Sequence, residues 1–271
     1  MPQFFASTSK GLVDVLSNEL KQLGVTPTDK EVSGVYFETN WEGCYRVNLH
    51  SRLASRVMKP ILDFVAYQPE ELYSHVQRFD FTKFIRPDQT LMVDAKVVDC
   101  KLHDQRFVAM KIKDAIVDQF REKFDQRPDV DSKRADLRIQ VKAVENKFSL
   151  SIDTSGDSLF LRGYRLEAGD APMRENIAAG LLALSEWDKK TDFLDLFCGS
   201  GTILIEAALM ACNIAPGTLR REFGFQKLLN FDSKIWDKIV NEAIESEIET
   251  VETKFFGYDI DRQVLQKAKA N

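Results

Sequence analysis

The octet DLFCGSGT, Asp195 to Thr202, sets a carboxylate ahead of two glycines where an apolar run changes character. Phe193, Leu194, Leu196 and Phe197 have strand composition. Ile203, Leu204, Ile205, Ala207, Ala208, Leu209 and Met210 then form an apolar run too dense for a surface helix. Strand, glycine turn and buried helix make the first half of a βαβ unit. A carboxylate at the C-terminal end of such a strand faces the crevice where open α/β sheets bind ligands, and Asp195 suits a positive ammonium there. Gly199 and Gly201 let backbone approach the ligand closely. The helix start that follows offers free N–H groups and about 0.3–1 kcal/mol to an anion, which fits a ligand carboxylate. A second strand, KFFGYDID, ends on Asp259, an acid placed to accept from two ribose hydroxyls. Asp261 reads as the cap of the next helix. An ammonium, a carboxylate and a ribose without phosphate describe S-adenosylmethionine. A phosphate-binding loop would end in GK[ST], which is missing, and a dinucleotide fingerprint would need a third glycine where Leu204 stands. An NAD-dependent enzyme is therefore disfavoured.

The elements that position these residues follow from periodicity. Gln3 to Ala6 reads as a strand, Lys10 to Gln22 as a helix, Val32 to Glu38 as a strand and Trp41 to His50 as a helix. A strand is expected within Ala54 to Val65, a helix over Pro69 to Arg78, a strand over Thr90 to Val98 and a strong helix over Phe107 to Phe124. Leu137 to Val144 and Phe148 to Asp153 read as a hairpin. A helix opening at Pro172 is expected to bury Ile177, Ala178, Leu181, Leu182 and Leu184. The fold class is α/β: an N-terminal α+β region, then the first part of a Rossmann-like sheet.

The chain has 271 residues, 44% hydrophobic and 29% charged, enough for two ordinary soluble domains. No apolar run reaches the roughly 18 residues of a transmembrane helix, and the N-terminus lacks the form of a secretory signal. Cys44, Cys100, Cys198 and Cys212 are scattered, which points to reduced thiols in a cytoplasm. His50, His75 and His103 lie in separate segments, so no metal site is expected. The net charge of −5 speaks against wholesale nucleic-acid binding. Its distribution is uneven. Lys101 to Lys142 carries 11 Lys and Arg against 8 Asp and Glu, whereas Glu222 to Asp261 carries 4 against 10. The first segment is either a solvated mixed-charge face or a phosphate-binding one. The second, around NEAIESEIETVET, reads as an exposed helix that avoids nucleic acid.

DLFCGSGT with GYDID, preceded by LRGYRLEAGDAPMRENIAAGLL, resembles the THUMP-domain RNA methyltransferases, and within them the bacterial RlmL type. FASTSKGL, SRLASRVMKP and MKIKDAIVD extend the resemblance over the whole chain. It implies a ferredoxin-like part over residues 1–50, a THUMP RNA-binding domain over 51–155, a linker over 156–172 and the start of a methyltransferase domain over 173–271. It implies methylation of the N2 amine of a guanine in 23S ribosomal RNA, with S-adenosylmethionine as cofactor, in the cytoplasm and with no membrane partner. A second methyltransferase is fused to this unit in many such proteins. Asp195, Phe197, Gly199 and Gly201 would line the methionine end of the cofactor and Asp259 would hold its ribose; Arg174 and Asn176 would also bind it, with Arg165 and Pro172 bordering the site. Arg106, Lys111, Lys113, Arg138, Arg162 and Arg165 would meet RNA, although Asp104 weakens Arg106 and the two linker arginines serve a domain-joining role equally well.

The resemblance has limits. These enzymes place the target base with an [N/D]-PP-[Y/F] loop, and no PP dipeptide occurs in these residues. No catalytic residue is therefore assigned, and the sequence reads as the N-terminal piece of a longer enzyme. The 58 positions from Gly201 to Asp259 exceed the usual spacing of about 20, which the family explains by an insertion. Adenine-N6 methylation of nucleic acid and a non-catalytic RNA-binding module stay open as alternatives.

Overall fold

A computed structural model describes residues 1–167 and 172–271; residues 168–171, which fall in the expected linker, lie outside the described residues. In chain order the elements begin with β1 (Gln3–Ser7), α1 (Val13–Gln22), β2 (Thr26–Glu31), β3 (Gly34–Glu38), α2 (Trp41–His50) and β4 (Arg56–Val65). Next come α3 (Pro69–Gln77), β5 (Thr90–Val98), α4 (Gln105–Phe124), β6 (Asp129–Val130), β7 (Leu137–Val144) and β8 (Lys147–Asp153). The last are α5 (Glu175–Leu184), β9 (Phe193–Asp195), α6 (Thr202–Ala211), α7 (Ser233–Glu245), β10 (Phe255–Gly257) and α8 (Arg262–Ala270). Contacts divide the chain into two units: Met1–Val57 with Asp157–Glu222 and Ser233–Asn271, and Met58–Gly156 with Phe223–Asp232.

In the first unit β3 lies between β1 and β2, antiparallel to both. Phe4, Ala6, Val35 and Phe37 of this sheet and Leu16, Leu20, Val47 and Leu49 of α1 and α2 are all fully buried. Each buried Leu or Phe contributes about 1.5–3 kcal/mol. β2, sequence TPTDKE, has no apolar alternation and was not expected as a strand. It pairs on one side only within this unit, where a proline is tolerated. α2 starts at Asn40, whose side chain accepts from Gly43 N at 3.0 Å.

The acidic helix lies earlier than expected. α7 ends at Glu245; it buries Ile239 and Ala243 and packs on α2 with Trp236 edge-on to Tyr45 at 6.3 Å. β9 and β10 pair in parallel, Gly257 opposite Asp195. The α6 helix packs on both strands. A Cβ on Gly257 would stand 2.4 Å from Leu204 Cδ1 and 3.0 Å from Cys198 Sγ, so a larger residue there would have to displace these side chains. The α5 expectation needs correction: Leu181 and Leu184 are exposed, because α5 buries Ala178, Ala179 and Leu182 instead.

In the second unit β8 lies between β4 and β7, antiparallel to both, and β5 runs parallel to β7 and β6. The β7–β8 hairpin turns on Glu145 and Asn146, both at positive φ as a two-residue primed turn requires. α4 runs from a cap at Asp104, whose carboxylate accepts from the N–H groups of Arg106 and Phe107. Its buried face, Val108, Ile112, Ala115, Ile116 and Phe120, packs on β5. Buried Gln119 accepts from Phe81 N and donates to the carbonyls of Val76, Gln77 and Phe79, satisfying the turn after α3. Among the described residues no helix is long and apolar enough to cross a membrane.

His50, the last residue of α2, carries a testable consequence of this packing. Burial, with Arg46 and Arg52 beside it, lowers its pKa from 6.5 to about 4. Between those values the unfolded chain binds a proton that the folded chain refuses, so stability present above 6.5 is lost as pH falls toward 4. Urea unfolding at neutral and at mildly acidic pH should show this loss in the wild type and a smaller one in His50→Gln; equal losses would contradict the assignment.

Candidate functional site

The site lies in the first unit, at the C-terminal ends of β9 and β10. Tyr258 N donates to Asp195 O at 2.8 Å and Cys198 N to Tyr258 O at 2.9 Å, which lays the glycine loop across both strand ends. Gly199 and Gly201 take φ of +54° and +84°, a region that favours glycine. A Cβ on Gly199 would meet nothing within 4 Å, so its surface stays open, whereas one on Gly201 would come within 3.3 Å of Ala268 Cβ on α8. Gly201 is the N-cap of α6, and no side chain caps that helix. Its first-turn N–H groups are therefore available to an anion.

Asp195 accepts from Phe197 N at 3.0 Å through Oδ1, and Oδ2 has no donor among the described residues. Asp259 has a structural role that the sequence did not suggest. Its Oδ2 accepts from Gly199 N and its Oδ1 from Asp261 N, each at 3.0 Å, so it clasps the glycine loop to the end of β10. Each oxygen keeps a further lone pair for a ligand. Asp261 caps α8 as expected, accepting from Gln263 N at 2.8 Å. Burial pushes the Cys198 thiol up, and the carboxylates of Asp195 and Asp259 push it further, which leaves it protonated. A cavity of about 310 Å³ is lined by Asp195, Phe197, Gly199, Ser200 and Thr202, with Met173 among the remaining wall residues. Phe197 is 87% exposed at its mouth.

Not every expected residue joins this cavity, and Gly201 and Asp259 are not among its lining residues. Asn176 is fully buried and donates through Nδ2 to Ser55 Oγ at 3.1 Å, so it fastens α5 to the segment before β4 and does not line the cavity. Arg174 does not line it either; its guanidinium lies over the Phe160 ring at 5.2 Å. Arg162, expected at RNA, is 1% exposed. Its Nε pairs with Glu206 Oε1 at 3.3 Å, Nη1 donates to Leu159 O at 2.7 Å and Nη2 donates to Arg52 O. A guanidinium so enclosed has no path to a phosphate. Tyr164 Oη also donates to Glu206 Oε1, at 3.3 Å. Burial raises the Glu206 carboxyl pKa, and Arg162 and Arg52 hold it back. Gly163 between them sits at φ +110°, and a Cβ there would be 2.5 Å from Leu219 O. Arg165 is largely buried too, bound to Glu175, Ser200, Thr202 and Met173.

Of the remaining basic residues, Arg106 is exposed at the start of α4 and Lys113 pairs with the neighbouring Asp114. Both lie seven positions apart on one face of the helix. Lys111 turns to another face, its ammonium 5.0 Å from the centre of the Tyr73 ring. Arg138 on β7 donates to Gly156 O at 3.3 Å and to Lys133 O. Glu206, Glu175 and Asn271 were not anticipated. For Glu206 a signal existed: a lone carboxylate inside ILIEAAL demands a buried partner.

Comparison with known proteins places these features in context. Residues 3–58 match the RlmL ferredoxin-like domain, residues 66–153 the THUMP domain and residues 162–271 the RMKL-like methyltransferase domain. The chain is 40% identical over 274 residues to the ribosomal RNA large subunit methyltransferase K/L of Aliivibrio salmonicida, and 42% identical over 275 residues to the protein of that name from Shewanella pealeana. Both alignments cover 100% of this chain, which spans 39% of the length of either relative. Among solved structures, a putative methyltransferase complexed with SAH superposes with a TM-score of 0.91 at 31% identity, covering 99% of this chain and 71% of that one. A predicted N6-adenine-specific DNA methylase from Listeria monocytogenes superposes with a TM-score of 0.89 at 32% identity, covering 99% and 70%.

The segment Arg162–Arg165 should be intolerant of change. Arg162→Met leaves Glu206 buried without its partner and should cost about 3–5 kcal/mol. Gly163→Ala adds a backbone clash to a strained φ and should cost at least about 1–3 kcal/mol. Denaturant titration measures both, and losses below about 0.5 kcal/mol would show that the segment is not packed as described.

Proposed function

We propose a function from one premise: the chain belongs to the THUMP-domain methyltransferases whose catalytic domain is RMKL-like. The cofactor is S-adenosylmethionine, and the reaction of the parent protein is methylation of a guanine N2 amine in 23S ribosomal RNA. The observation that carries the cofactor reading is the cavity at the glycine loop. It gathers a carboxylate oxygen without a donor on Asp195, the open surface of Gly199 and the uncapped start of α6. Those groups fit an ammonium, a close-lying main chain and a carboxylate. Asp259 supplies lone pairs for ribose hydroxyls while holding the loop.

When bound, the cofactor supplies a methyl group already activated on sulfonium. The chain's own contribution is placement. Asp195 orients the amino-acid end, α6 receives its carboxylate through fixed dipoles, and Asp259 keeps the loop shaped for both. The N-terminal domains bring RNA to this site. Within them Arg106, Lys111, Lys113 and Arg138 are our candidates for phosphate contact; Arg162 and Arg165 act inside the protein. The domain division stays at 1–50, 51–155, 156–172 and 173–271 in this reading. The cytoplasm as place of action, and a second methyltransferase fused in the parent protein, belong to the same proposal. The names of the curated relatives support ribosomal RNA over the adenine alternative.

Two measurements test this. Calorimetric titration of S-adenosylmethionine, with NAD as control, should give binding of the first alone, weakened at least about tenfold in Asp195→Ala. No binding by the wild-type chain would contradict the methyl-donor reading. Removing Arg106 or Lys113 should reduce the salt slope of RNA binding by about 0.7–0.9 per lost phosphate contact, and an unchanged slope would remove that residue from the interface.

A further inference from the structure

The glycine loop needs external support. Ser200 lies between two residues at positive φ, and glycine backbone costs more entropy to fix than any other. Ser200 is nevertheless 7% exposed and held at its hydroxyl and its carbonyl. Its Oγ accepts from Arg165 Nη1 at 3.3 Å, and its carbonyl accepts from Asn271 Nδ2 at 3.2 Å. Arg165 also donates through Nη2 to Thr202 Oγ1 at 3.0 Å, so one guanidinium spans the loop and the first residue of α6. That guanidinium is fixed from behind by Glu175 Oε1 at 2.9 Å and Met173 O at 3.0 Å. Asn271 is fixed in the same way. Its Oδ1 accepts from the N–H groups of Leu166 and Glu167 at 2.8 and 2.9 Å, and its Nδ2 donates to Glu167 O at 2.9 Å.

These contacts form one bracket. The three consecutive residues Arg165, Leu166 and Glu167 reach the loop directly and through Asn271. Ser200 and Thr202 line the cavity, whereas Arg165 and Asn271 do not. We propose that Arg165 and Asn271 are positioning residues of the methyl-donor loop, clamping Ser200 from its hydroxyl and its carbonyl so that the cavity is formed before the ligand arrives. This rests on the methyl-donor reading of the site and gives Arg165 a role other than RNA contact. The fork of arginine is essential to it, because one lysine ammonium cannot span Ser200, Thr202, Glu175 and Met173 in that planar arrangement.

The test is calorimetric titration of S-adenosylhomocysteine into the 271-residue chain and its variants, with Tm and RNA affinity recorded beside it. Arg165→Lys and Asn271→Asp should each raise Kd about tenfold. Asn271→Asp keeps the acceptor for Leu166 and Glu167 and removes the donor to the carbonyls of Ser200 and Glu167. Ser200→Ala, which leaves the linker untouched, should weaken binding about threefold and cover the case in which an Arg165 variant fails to fold. Because both clamps act on Ser200, the Arg165→Lys and Asn271→Asp effects should not multiply in the double variant. RNA affinity should stay at the wild-type value. Wild-type binding with unchanged Kd in Asn271→Asp and Ser200→Ala would overturn the proposal alone. A loss of RNA affinity in Arg165→Lys with normal cofactor binding would overturn it in favour of an RNA role. No binding by the wild-type chain would overturn the methyl-donor reading and the clamp with it.

Discussion

A buried guanidinium must find partners for its N–H groups, and Arg162 finds them in Glu206, Leu159 and Arg52. That requirement fixes much of the first unit. Glu206 belongs to α6, the helix that starts at the glycine loop, and Arg52 follows α2. The pair therefore sets where α6 lies against the N-terminal elements of its unit. Removing either charge would strand the other in a medium that cannot solvate it. The next residues inherit the geometry. Gly163 turns the chain through a φ that only glycine takes easily, Tyr164 adds its hydroxyl to Glu206, and Arg165 emerges beside the loop.

The loop itself is a second example of one group serving two ends. Asp259 was expected to face a ribose. It also holds Gly199 N, so the acid that would read the ligand shapes the backbone that approaches it. Asp195, by contrast, keeps an oxygen without a donor. Asp259 thus shapes the loop while Asp195 leaves an oxygen open, and the protonated Cys198 adds no third charge.

Much of this was legible in the sequence because local pattern and final packing agree. The alternation of Leu91, Val93, Ala95 and Val97 and the paired runs ending at Asp153 gave β5, β7 and β8 almost to the residue. DLFCGSGT gave strand, turn and helix in the right order. What failed was information that sequence distance hides. β2 carries no apolar alternation, so only its partner β3 defines it. Arg162 and Asn176 look like surface or ligand residues in a polar stretch. Their partners Glu206 and Ser55 stand 44 and 121 positions away. Asn271 gave no signal, since its role depends on a linker 104 positions before it. The position of α7 was missed because charge content marked the helix better than its thin apolar stripe did.

The most direct measurement is a map of backbone amide shifts on adding S-adenosylhomocysteine to the isotope-labelled chain. If the glycine loop is the methyl-donor site, the largest shifts will fall on Phe197, Gly199, Gly201, Thr202 and Asp259, with α4 unmoved. Shifts centred away from the loop, or none at saturating ligand, would contradict that assignment.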